Sequence, residues 1–128
     1  MFKKNLAGLS FAHRQNKEAY GLMKVYISGP ITGIENYKAA FSARAASLKA
    51  MGYKVENPVD ISERLWRAFP DRKLRYEDFM RHDLAALLDC DGISMLPGWE
   101  NSRGARIEHD VAVATGKIFV EVTLLDRR

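Results

Sequence analysis

Ser102 stands six residues before Glu108 in the run Ser102-Arg103-Gly104-Ala105-Arg106-Ile107-Glu108. A serine at the start of a helix caps it, and the free N–H groups there attract anions. A glutamate one to two turns further along can reach a sugar attached to that anion. Gly104 lets a ligand approach the backbone, and with Ala105 it leaves open the helix face that carries Glu108. The spacing suits a nucleotide whose glycosidic carbon is offered to a carboxylate.

Other reactive residues carry less on their own. His82 and His109 each sit beside a carboxylate, but neither belongs to an i, i+4 ligand pair and no cysteine cluster joins them, so no metal is expected. Ser102 and His109 lack the G-x-S-x-G turn of a serine hydrolase. The run Tyr26-Ile27-Ser28-Gly29-Pro30-Ile31-Thr32-Gly33 is neither a Walker loop nor a dinucleotide G-x-G-x-x-G, and alone it reads as a strand with a tight turn. Glu108 alone reads as a solvated helix residue. Asp83 either does chemistry or pairs with Arg81 or a neighbouring lysine on the surface. Trp99 either stacks on a base or sugar or seals the edge of the core.

The elements that must position these residues follow from periodicity and punctuation. Lys24–Ser28 and Tyr53–Glu56 read as strands, closed by Gly29-Pro30 and Asn57-Pro58. Asn36–Met51 is an expected helix stopped by Gly52, Ser62–Phe69 a short one ended by Pro70, and Tyr76–Asp89 a stronger one. Gly92–Leu96 is a third strand, Ser102–Thr115 the last long helix with Gly116 as its stop, and Lys117–Val122 a fourth strand. Alternating strands and helices make βαβ units. The fold expected is therefore α/β: one doubly wound, flavodoxin- or Rossmann-like domain with a parallel sheet of four to five strands, order 2-1-3-4. In such sheets ligands bind beyond the carboxyl ends of the strands. The loops Gly29–Asn36 and Pro97–Ser102 lie there.

At 128 residues the chain predicts one domain, and 47% hydrophobic with 28% charged residues excludes disorder as a whole-chain description. Residues 1–22 read as an N-terminal extension, an arm or short helix, and 23–128 as the α/β domain. The lone Cys90 cannot form an internal disulfide and reads as a buried thiol; no signal peptide and no bilayer-length apolar run is seen. A cytoplasmic home is expected, without membrane contact. The net charge of +4 concentrates in the leader and between Arg64 and Arg81, which reads as solvated surface, so nucleic acid is not the expected partner.

The Tyr26–Gly33 run, the His82-Asp83…Asp89-Cys90-Asp91 helix end and the Ser102–Glu108 run, in that order, resemble the nucleoside 2-deoxyribosyltransferase superfamily over about residues 23–122. The resemblance extends to its 2'-deoxynucleoside 5'-phosphate N-hydrolases and to an uncharacterised, often phage-borne branch. It implies that Glu108 is the nucleophile that forms a covalent glycosyl-enzyme, its charge favoured by the nearby helix N-terminus. It implies that Asp83 handles the proton of the departing base or of the attacking water or acceptor. Tyr26, Gly29 and Pro30 match the motif that lines the deoxyribose and base pocket.

Ser102 stands where members acting on free nucleosides have an aspartate. A serine accepts a 5'-phosphate that an aspartate would repel, and Gly104, Arg103 and Arg106 lie beside it. The resemblance thus implies cleavage or transfer of the N-glycosidic bond of a (deoxy)nucleoside 5'-monophosphate, a small-molecule nucleotide, with no cofactor. Thr32 replaces the arginine of the nucleotide hydrolases, which leaves Arg103 to meet the phosphate charge. The family completes its site from a neighbouring subunit, so a homo-oligomer, dimer or higher, is expected. Two further classes stay open: an inactive nucleotide-binding or sensing module on this fold, and an adaptor that uses the basic leader.

Overall fold

A computed structural model describes residues 23–122. The extension expected over 1–22, and the last six residues of the 23–128 domain, lie outside the described residues. Four parallel strands form one sheet: β1 (Lys24–Ser28), β2 (Lys54–Glu56), β3 (Gly92–Met95) and β4 (Ile118–Phe119), in the order β2-β1-β3-β4. This is the expected α/β architecture and strand order.

Helix α1 (Tyr37–Ala50) covers one face of the sheet. Helices α2 (Pro58–Ala68), α3 (Tyr76–Leu88) and α4 (Arg103–Ala114) cover the other. The two-residue period of β1 divides its side chains between two cores. Val25 and Ile27 pack with Phe41, Ala45 and Leu48 of α1, whereas Tyr26 packs with Leu65, Leu87, Ile93 and Ala112 on the opposite side. Ser28 shares the face of Tyr26, which puts two hydroxyl groups on the α4 side of the central strand.

Helix starts are set by side chains. Ser102 Oγ accepts the Ala105 N–H at 3.2 Å and starts α4 where expected. Asp78 reaches back to accept the Arg75 N–H at 2.8 Å at the start of α3. Asn57 caps the Val59 N–H at 3.0 Å and Pro58 occupies the first helical position. The dipeptide expected only to close β2 therefore opens a helix four residues earlier than Ser62, because proline lacks the N–H that a first turn leaves unused. At the other end of the chain β4 is shorter than the Lys117–Val122 expected, although the Val120 N–H still reaches the Ile93 carbonyl at 2.9 Å. Within the Pro97–Ser102 loop a short 3-10 helix spans Trp99–Asn101, entered through Gly98 at φ 87°.

Gly29 ends β1 beside Leu96, and a Cβ built there would stand 2.7 Å from the Leu96 Cβ. Gly29→Ala should accordingly lower stability by about 1–3 kcal/mol, read as the free energy of unfolding in urea. An unchanged unfolding midpoint would show that Leu96 yields freely.

Candidate active site

β1 ends with Tyr26 and Ser28 facing α4, and α4 turns Glu108 back toward them. Ser28 Oγ donates to Glu108 Oε1 at 2.6 Å and Tyr26 Oη donates to Oε2 at 2.8 Å. Both donors are fully buried and Glu108 is 6% exposed. One hydroxyl on each oxygen fixes the plane of the carboxylate and favours its charged form. Burial opposes this more strongly and pushes the Glu108 carboxyl up to about 7. Desolvation thus outweighs the two hydroxyls that favour the charged form. Ser28→Ala removes one hydrogen bond to a charged group, worth about 1.5–3 kcal/mol. It should raise the Glu108 carboxyl by about one unit or more, followed by the carboxyl-carbon chemical shift against pH.

Glu108 lines a cavity of about 290 Å³ between the β1 loop and the three helices on its face. Asp83 of α3 lines the same cavity. It is 8% exposed, and its Oδ1 has no hydrogen-bond partner among the described residues. Burial first and the charge of Glu108 second push the Asp83 carboxyl up to about 8. Arg81, the alternative partner for Asp83, pairs instead with Asp78 at 3.1 Å. Two carboxyl groups with raised affinities for protons therefore share one hollow, one held by two hydroxyls and one without a partner. Between about pH 7 and pH 8 such a pair holds close to one proton between its members.

The other expected site residues divide. Gly29, Ser102 and Gly104 line the cavity with the carboxyl groups. Tyr26 does not line it, because its ring is in the core and only its hydroxyl reaches the site, through Glu108. Pro30 and Arg103 border an adjoining outer recess, where the Arg103 guanidinium lies 4.5 Å above the Tyr76 ring. Trp99 lies apart from Glu108. It stacks on His109 at 4.3 Å, His109 in turn meets Phe119 at 5.4 Å, and the three line a separate hollow beside β4. Arg106 turns its guanidinium to the Glu100 carbonyl at 3.0 Å.

Sequence reasoning missed Ser28 and the apolar wall. Trp66 of α2 and Phe79 of α3 meet edge to face at 5.8 Å, and with Met80 they line the cavity opposite the β1 loop. Phe79 and Met80 stand on the apolar stripe of α3, and the packing of α2 against α3 turns that part of it to a hollow. At the start of α4, Ser102 takes up the Ala105 N–H with its hydroxyl and the Arg106 N–H with its carbonyl. The N–H groups of Arg103 and Gly104 make no hydrogen bond among the described residues, as expected of a first helical turn that can receive an anion.

Fold and site together define a doubly wound α/β protein with paired buried carboxyl groups beside an anion-receptive helix start. A family model described as a domain of unknown function, DUF4406, matches residues 23–121. The chain belongs to that family. No curated protein matches it in sequence. Among solved structures, that titled Clostridium botulinum CMP N-glycosidase, BcmB, is similar, with a TM-score of 0.53 and 21% identity over 81% of this chain and 77% of that one. The likeness establishes a shared fold. No helix among the described residues is long and apolar enough to cross a membrane.

Proposed function

We propose that this protein cleaves the N-glycosidic bond of a nucleoside 5'-monophosphate through Glu108, as expected of the nucleoside 2-deoxyribosyltransferase superfamily that its motifs resemble. One observation carries the reading: a carboxylate oriented by Tyr26 and Ser28 shares a cavity with an unpartnered carboxyl group, Asp83, beside the start of α4. The solved fold neighbour is, by its title, a CMP N-glycosidase, which supports the same class of reaction.

In the first step a Glu108 oxygen bonds to C1' of the sugar. The C1'–N bond breaks with its electron pair on the base, and Asp83 gives its proton to that base. In the second step Asp83, now ionised, takes a proton from water as the water oxygen bonds to C1'. The C1'–O bond to Glu108 breaks and the carboxylate returns. The 5'-phosphate lies against the Arg103 and Gly104 N–H groups and the Arg103 side chain. Water is the acceptor we favour; a second base in its place would make the reaction a transfer.

The test is base release from nucleoside and deoxynucleoside 5'-monophosphates, followed chromatographically with and without a competing free base. Release of base supports the reading. Nucleotide binding with no base released from any of them would make the protein a binding module on this fold.

A further inference from the structure

The cavity that holds Glu108 adjoins a second recess, of about 870 Å³, and the two share Thr32, Tyr37, Tyr76, Ser102 and Gly104 along their border. The first turn of α4 stands on that border. The recess is about three times the volume of the catalytic cavity, far more than one phosphate fills. Its walls are mostly apolar: Pro30 and Ile34 from the β1 loop, Ala40 from α1, and Leu96 and Pro97 after β3, with Asn101 as a polar contact. Among the described residues Arg103 is the only cationic side chain lining either space, and no carboxylate lines the recess. The unpartnered, buried Asp83 oxygen marks the inner end as a place for a ligand.

Charge narrows what fits. A phosphodiester presents one negative charge, a phosphomonoester about two and a triphosphate more. Within a few ångströms, opposite or like charges interact by several kcal/mol where water is partly excluded. Two backbone N–H groups and one guanidinium match a single charge and leave any further ones without a partner. The apolar recess beyond offers nothing to additional phosphates and a surface to a flat, uncharged body.

Resting on the nucleotide reading above, we propose that the preferred substrate is a nucleotide whose 5'-phosphate is esterified to a second nucleoside, which occupies the recess bordered by Ile34, Ala40 and Pro97. The catalytic cavity takes the sugar and base to be cleaved, and the α4 start holds the bridging phosphate.

The experiment uses the full chain with Glu108→Gln, so that turnover does not consume the ligand. Titration calorimetry compares, for each of the four bases, the nucleoside 5'-monophosphate, the 5'-triphosphate and the 3'→5' dinucleoside monophosphate carrying that base on its 5'-linked residue. The diester should bind at least about tenfold tighter than the monophosphate, about 1.4 kcal/mol, and the triphosphate most weakly. Ala40→Trp, at an exposed position on α1, should bring the ratio of diester to monophosphate affinity to about one. A monophosphate or triphosphate that binds as tightly as the diester overturns the proposal, as does a preference that survives Ala40→Trp. Base release from monophosphates without diester preference overturns this assignment and leaves the glycosidase reading standing. Diester preference with no base release from any substrate overturns the glycosidase reading alone.

Discussion

Glu108→Gln is expected to lower kcat for base release by on the order of 10^4 or more while leaving nucleotide affinity and fold in place. The amide keeps the shape of the carboxyl group. The Tyr26 and Ser28 hydroxyls, which donate to it at 2.8 and 2.6 Å, can turn to accept from the new N–H as readily as they donate. What the amide lacks is the anionic oxygen that bonds to C1'. Acid-quenched wild-type protein should carry the mass of the sugar phosphate on the peptide containing Glu108, and the variant should carry none. A variant rate within tenfold of wild type would mean that Glu108 only positions the sugar, and the covalent route would be lost with it.

The strand order was legible in the sequence because it follows from local pattern, whereas Glu108 alone reads as a solvated residue and was singled out by the resemblance of its motifs. Alternating strand and helix periods define βαβ units, and Ser102 announces the start of α4. Ser28 shows where such reading stops. Its place two residues after Tyr26 puts both hydroxyls on one face, and that much could have been read from the strand period. That the face meets Glu108, 80 residues away, depends on the packing of α4 against β1. Trp99 shows the converse. A turn aromatic beside a helix start reads equally well as a stacking platform or a seal, and only the packing of His109 shows that the Trp99 ring stacks on a side chain outside the Glu108 cavity. The wall formed by Trp66 and Phe79 depends on the packing of α2 against α3, which local pattern does not fix.

Asp83→Asn is expected to stabilise the protein at alkaline pH while it removes the proton donor, and the two effects come from one cause. Burial and the charge of Glu108 hold the Asp83 carboxyl at about 8 instead of its ordinary 3.8, and burial holds Glu108 at about 7 instead of 4.5. Between the ordinary and the raised values the folded protein keeps protons that the unfolded chain has released. Stability therefore falls as pH rises from about 4 to about 8, and is level beyond. A shift of this size sets an upper limit of roughly 6 kcal/mol for Asp83. The residual exposure of the group and its coupling to Glu108 reduce the expected gain of Asp83→Asn to about 2–4 kcal/mol at pH 9, with none at pH 4. Urea unfolding at the two pH values measures it. The same pair predicts a bell-shaped rate profile: base release falls below about pH 7 as Glu108 gains a proton, and above about pH 8 as Asp83 loses one. In Asp83→Asn the alkaline limb should vanish and kcat fall about 10^2- to 10^4-fold. If Asp83→Asn proves equally destabilising at pH 4 and pH 9, the carboxyl group is neither desolvated nor protonated in the folded state, and its part in the chemistry is lost. A gain confined to alkaline pH, joined to a loss of turnover, is what a site that trades stability for a poised acid should show.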